Sequence, residues 1–200
     1  MTRLDRQKWD RRYSRGSELA GAQPSEWLLR SLALAGFDRG DGRAALDVAC
    51  GTGRDALYLA ALGFSVDAVD ISPVALAQAS AASRERELSI NWLEADLDLA
   101  FRPPRTYDLI LMIHYVNLPL MEKLTLALRP GGWLVSEQYL HTSGVQVGPR
   151  RAEYRVASGA LAAACGDLEI VEQEEGTSRD RLGRTLAVSR VAARRSVLGH

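Results

Sequence analysis

The chain predicts an α/β fold: a seven-stranded, mostly parallel sheet with one antiparallel strand and helices on both faces. Three observations predict it. Apolar runs of strand length alternate with segments of helical periodicity from residue 44 to residue 139. The early runs are each followed by a helix-length segment, as parallel strands joined by crossover helices require. The last two strand patterns are separated only by the polar link GTSRDRLG, which suits an antiparallel hairpin.

The elements follow in order. Residues 25–35 read as a helix offering Trp27, Leu28, Leu32 and Leu34 for burial, broken by Gly36, Gly40 and Gly42. Residues 44–49 form a buried first strand, and Gly51 and Gly53 make the turn after it. Ala56, Leu57, Leu59 and Ala60 then recur at helical spacing over about 54–62, and Gly63 ends that helix. A second strand over 64–70 closes on Asp70. Ser72 caps the next helix and Pro73 suits its first turn; it runs to about Arg86. The third strand, about 89–95, ends near Asp96. The fourth, 107–114, is continuous enough to be central. A helix over about 118–128 stops before Arg129-Pro130-Gly131-Gly132, and a fifth strand spans about 132–139. Residues 141–152 read as a loop and 153–165 as a helix. The closing strands span about 168–175 and 184–192.

Two hundred residues suit one domain, here 1–200. Lys and Arg number 25, as do Asp and Glu, so no net basic field gathers nucleic acid. Cys50 and Cys165 are too few for a disulfide framework and lack metal-ligand spacing, so no metal is expected. The first residues, MTRLDRQKWDRRYSR, are charged throughout, unlike a secretory signal. No apolar run nears the roughly 18 residues of a membrane span. A cytoplasmic chain, monomeric or homodimeric, is expected.

The strand, glycine turn and helix start at 44–60 point free N–H groups at whatever lies above the turn. Ligands in such sheets bind over the carboxyl ends of the strands. Asp47, Asp70 and Asp96 stand at or near three of those ends. Asp70 can accept from a ribose diol, and Asp96 from an exocyclic amine. Gly51, Gly53 and Ala56 also fit the G-x-G-x-x-[GA] of an NAD-dependent dehydrogenase, with Asp70 as its ribose acid. Asp47 opposes that reading. Inside the strand and four residues before Gly51, it would repel a pyrophosphate and suits a cofactor with a cationic amine.

Asp47-Val48-Ala49-Cys50-Gly51-Thr52-Gly53 resembles the first motif, D-x-G-x-G-x-G, of class I S-adenosylmethionine-dependent methyltransferases, with Ala49 in place of the first glycine. Val69-Asp70-Ile71-Ser72 resembles the second motif, Glu94-Ala95-Asp96-Leu97 the third, and Tyr107-Asp108-Leu109-Ile110 the fourth. Leu128-Arg129-Pro130-Gly131-Gly132 resembles the turn before strand five. More narrowly, WDRRYS, GRDALYLAALGFSVDAVDIS and EEGTSRDRLGRTLAVSRVAAR resemble the tellurite-resistance and thiopurine-methyltransferase-like group of small-molecule enzymes. The resemblance implies a Rossmann-like sheet with a cofactor-binding core at 44–140. It implies S-adenosyl-L-methionine as cofactor and S-adenosyl-L-homocysteine as product. The cofactor residues implied are Asp47, Ala49, Gly51, Gly53, Asp70, Ile71, Asp96, Leu97 and His114.

His114 and Tyr115 follow strand four and are the candidate catalytic residues. His114 serves as a general base or only lines the pocket; Tyr115 acts there or packs a ring on the cofactor. Trp9 and Tyr13 share a helical face within 1–22, a candidate lid, or pack that segment onto the core. An aromatic lid at a sulfonium gains about 0.5–2 kcal/mol. Arg150, Arg179 and Arg184 are candidate contacts to an anionic acceptor, or solvated surface residues. A non-catalytic cofactor-binding module is the other class of reading the sequence leaves open.

Overall fold

The computed structural model describes residues 3–15, 23–99, 101–142, 147–149, 151–179 and 183–197. In chain order its elements are α1 (Arg3–Ser14), α2 (Glu26–Ala35), β1 (Ala44–Val48), α3 (Arg54–Ala61), β2 (Ser65–Asp70), α4 (Pro73–Glu85), β3 (Ile90–Glu94), β4 (Tyr107–Ile113), α5 (Leu118–Thr125), β5 (Leu128–Tyr139), α6 (Ala160–Ala163), β6 (Glu169–Arg179) and β7 (Thr185–Arg194). Among the described residues the strands form one seven-stranded sheet in the order β3-β2-β1-β4-β5-β7-β6. β7 runs antiparallel to both neighbours; the other pairings are parallel. The strand order reverses between β1 and β4, so their carboxyl ends border a crevice.

Side chains alternate across the strands and feed two cores. Leu46, Val48, Ile110, Met112 and Leu134 face α5 and α6 through Leu120, Met121, Leu124 and Leu161. Ala45, Leu109, Leu111 and Val135 face α2 and α3 through Trp27, Leu28, Leu32, Ala56 and Leu59. Ser72 caps as expected and Gly36 ends α2, while Ser25, expected inside the helix, is its N-cap. Ser25 Oγ accepts from the Leu28 N–H, Ser72 Oγ from the Ala75 N–H, and Gly36 closes α2 at φ +68°.

Four expectations are corrected. Leu34 is 43% exposed, because the buried stripe of α2 runs through Trp27, Leu28, Ser31 and Leu32 and leaves Leu34 on the far side. α5 stops at Thr125. β5 starts at Leu128, taking in the Pro-Gly-Gly segment with an irregular pairing between Tyr107 and Leu109. Residues 153–165 are not one helix. A single 3-10 turn spans Ala152–Tyr154, Val156 bridges to Leu140, and Gly159 at φ +76° opens the four-residue α6. The buried Arg155 guanidinium explains the break. It donates to the carbonyls of Pro149, Leu140 and Val147 at 2.9, 3.0 and 3.1 Å, which needs extended backbone at its own position.

Candidate functional site

The turn after β1 crosses the crevice in left-handed backbone. Ala49, Gly51 and Gly53 have φ of +58°, +57° and +80°. The Gly51 N–H donates to Asp70 Oδ2 at 2.8 Å, and the Ser72 N–H to Asp70 Oδ1 at 2.9 Å, so one carboxylate ties the turn to the end of β2. Space here is tight. A Cβ on Gly53 would lie 2.5 Å from Trp92 Cη2, and one on Gly51 2.8 Å from the Tyr13 hydroxyl. At Gly53 conformation and contact both call for glycine.

Asp47, one strand position below, is 4% exposed, and its Oδ2 accepts no hydrogen bond among the described residues. Burial pushes its carboxyl well up; Asp55 and Asp70 push the same way, and Arg54 and the Ala56 backbone N–H oppose them. Such an oxygen is costly unless something satisfies it. Asp55 is occupied differently: it accepts from the Ser25 N–H at 2.7 Å and from Arg54 Nη2 at 2.7 Å, fastening α3 to the start of α2. Burial works against the Arg54 charge, but Asp55, Asp47 and Glu137 hold its pKa up. Burial, with Asp47 and Asp70, keeps the Cys50 thiol protonated. Asp108 lies at the other end of the sheet, accepting from the Ala44 N–H at 2.7 Å and Arg129 at 2.8 Å.

Past β3, Asp96 Oδ1 accepts from the Asp98 N–H at 3.0 Å, and Leu97 is buried. Asp98 Oδ1 in turn accepts from the Tyr115 hydroxyl at 2.6 Å and from Asn117 Nδ2 at 2.9 Å. Burial and this bond to Asp98 push the Tyr115 phenol far up. Tyr115 therefore braces the Asp96–Asp98 loop, while Asn117 Oδ1 caps α5 through the Leu120 N–H.

His114 turns the other way. Its backbone adopts φ +56°, uncommon for a residue with a side chain. Its Nε2 lies 2.9 Å from Glu137 Oε1, and its ring stacks on Tyr139 at 4.4 Å and 12°. Glu137 Oε2 accepts from Arg190 Nε at 2.6 Å. Burial pushes the Glu137 carboxyl up, but His114 and Arg190 outweigh it, and its pKa is lowered. Glu137, Arg190, Arg54 and Asp98 were not singled out by the sequence. The run Ser136-Glu137-Gln138, three buried polar residues at a strand's carboxyl end, was the available signal.

α1 crosses the top of the crevice as a strap. On one side Arg6 Nε donates to the Ile71 carbonyl at 3.2 Å and Arg6 pairs with Glu94. Asp10 accepts from Ser72 Oγ at 2.5 Å, and the Tyr13 carbonyl accepts from Gln78 at 3.1 Å. On the other, Lys8 Nζ donates to the Tyr154 hydroxyl at 2.8 Å. Tyr13 is buried and stacks with the half-buried Trp9 at 6.0 Å. Arg179 donates to the Gly183 carbonyl at 3.2 Å, and Arg184 stands exposed beside it. This hairpin end lies on the crevice side of the sheet, since Val188 pairs with Tyr139 at the carboxyl end of β5. Arg150 lies outside the described residues. A cavity of about 330 Å³ between Asp67, Asn91 and Arg105 sits at the opposite, amino end of the strands. No helix among the described residues is long and apolar enough to cross a membrane.

Residues 45–132 match the family described as "Methyltransferase domain". The ubiquinone biosynthesis O-methyltransferase of Paraburkholderia xenovorans (strain LB400) is 33% identical over 99 residues, 46% of this chain and 43% of that protein. That of Burkholderia multivorans (strain ATCC 17616 / 249) is 32% identical over the same shares. The match thus spans less than half the length of these curated relatives. TehB from Haemophilus influenzae superposes with a TM-score of 0.71 at 21% identity, over 84% of this chain and 62% of that one. Magnesium protoporphyrin IX methyltransferase from Synechocystis PCC 6803, with bound SAH, gives 0.71 at 17% identity, over 96% and 99%. Residues 45–132 thus match a methyltransferase domain, and the chain shares its fold with these superposed structures.

Proposed function

We propose that this chain, whose residues 45–132 match a methyltransferase domain, is a class I methyltransferase that transfers a methyl group from S-adenosylmethionine to a small-molecule acceptor. The observation that carries the reading is Asp47: a buried carboxylate whose Oδ2 has no hydrogen-bond partner among the described residues, below a turn too tight for a side chain at Gly53. The cofactor, when bound, supplies an electrophilic methyl group on a sulfonium, together with a cationic amine. Asp47 would take that amine. Asp70 and Ile71 would hold the ribose, Asp96 and Leu97 the adenine, with Tyr115 bracing their loop through Asp98. Ala49 keeps the turn's left-handed path without glycine, and His114 stands at the end of β4 beside it.

The chain's own part is orientation and electrostatics. α1 is the lid: it covers the turn through Tyr13 and holds Ile71 and Ser72 through Arg6 and Asp10. Arg179 and Arg184 at the hairpin end would meet an acceptor entering from that side; Arg150 joins them on its place in the sequence alone. A dehydrogenase is disfavoured because Asp47 would face a pyrophosphate. We place the reaction in the cytoplasm, on a monomer or homodimer, with no nucleic acid partner.

Release of S-adenosylhomocysteine over a panel of phenols, thiols, metalloid oxyanions and small hydroxyl compounds tests the reading. Acceptor-dependent release supports it. Tight S-adenosylhomocysteine binding with no release on any acceptor favours a non-catalytic binding module instead.

A further inference from the structure

We propose that Glu137 is a positioning residue that fixes the tautomer of His114, so that the site takes a protic acceptor, a hydroxyl or an amine, rather than one arriving as an anion. The inference rests on the methyltransferase reading and names the acceptor class for that site.

Glu137 is a buried carboxylate gripped on its other oxygen by Arg190, itself held by Ser178 Oγ at 2.9 Å and near Glu174 at 3.4 Å. The Arg54 charge at the start of α3 is coupled to it through space. An ionised carboxylate only accepts hydrogen bonds. The imidazole nitrogen 2.9 Å away is then the one to carry the proton, in keeping with the lowering of the Glu137 carboxyl by His114; Nε2 is the donor and the Nδ1 lone pair is left as acceptor in the neutral ring. Nδ1 has no hydrogen bond among the described residues, and 31% of the side chain is open to solvent. Two further restraints fix the ring: the Tyr139 stack, and the His114 N–H donating to the Glu137 carbonyl at 2.8 Å. Left-handed backbone at a non-glycine residue costs energy that this restraint sustains.

An oriented base is of use only where a proton must leave. The acceptor's lone pair forms the new bond to the methyl carbon while the sulfur–methyl bond breaks, its electron pair staying on sulfur. The acceptor's O–H or N–H proton passes to Nδ1, and the imidazolium formed faces the Glu137 charge. A thiolate or an oxyanion brings no proton and gains nothing from this arrangement.

The test is a long-range 1H–15N spectrum of the full chain with labelled histidine, His114 being assigned by His141→Gln and His200→Gln. The neutral ring is expected as the Nε2–H tautomer; the Nδ1–H tautomer overturns the proposal, whatever the variants do. Glu137→Gln, whose amide can present either end, gives mixed tautomers. In turnover, Glu137→Gln lowers kcat for a phenol by roughly tenfold or more with KM held, spares an ionised thiophenol, and Glu137→Asp restores part of the loss. Equal losses on both acceptors overturn the proposal. Calorimetry with S-adenosylhomocysteine reads the cofactor site separately, so failure of the underlying reading shows there and not in the imidazole spectrum.

Discussion

Oε2 of Glu137 and Nε of Arg190 meet at 2.6 Å across β5 and β7, and both side chains are about nine-tenths buried. The pair anchors the closing hairpin to the strand that ends at the crevice. Arg190→Met leaves the Glu137 charge buried without its guanidinium. The expected loss is about 3–5 kcal/mol at neutral pH, read by urea unfolding. The pH dependence has a definite sign. Glu137 is held below the ordinary value of 4.5 in the folded chain, so its contribution is present above that value and is lost as pH falls through the folded one. The deficit of Arg190→Met narrows on acidification; a constant deficit contradicts the account.

Asp47 has the opposite sign. Its carboxyl titrates well above the unfolded value, so the folded chain loses stability as pH rises from that value towards the folded one. Asp47→Asn removes the penalty. The variant melts higher than the native chain without ligand, yet binds S-adenosylhomocysteine at least roughly tenfold more weakly. A variant with lower melting temperature and unchanged affinity would make Asp47 a structural residue only.

The turn predicts paired effects. At Ala49, φ +58° is costly for a residue with a Cβ, so Ala49→Gly stabilises by about 1 kcal/mol. At Gly53, φ +80° and the Trp92 ring 2.5 Å from a would-be Cβ make Gly53→Ala destabilising by more than about 1 kcal/mol. Denaturant midpoints at matched slope read both, and shifts of the same sign refute the turn's geometry.

Removing residues 1–15 deletes the strap that Arg6, Asp10 and Tyr13 fasten over the turn. The sheet and both cores keep their other contacts, so folding persists while S-adenosylhomocysteine dissociates faster and binds more weakly. Stopped-flow dissociation measures it. Unchanged rates would reduce α1 to packing.

What the sequence disclosed was local. The cap Ser72 bonds within its own helix start, and Asp70 reaches Ser72 two residues on, although it also reaches back to Gly51 on the neighbouring strand's turn. What stayed hidden depends on register. Glu137 meets His114 because β4 and β5 pair, and meets Arg190, 53 residues away, because β7 runs back along β5. Arg155 reads as one turn of a helix until its three carbonyl partners are seen, none of them adjacent in sequence. Tyr115 was legible as a residue at the right strand end. Its bond to Asp98 turns on how the loop after β3 folds towards β4.

The cofactor assignment is the central claim, and equilibrium calorimetry tests it most directly. Native chain and Asp47→Asn are each titrated with S-adenosylhomocysteine and with NAD. The account predicts saturable one-site binding of S-adenosylhomocysteine to the native chain, weakened by the substitution, and no binding of NAD. Binding of NAD with S-adenosylhomocysteine silent would contradict it.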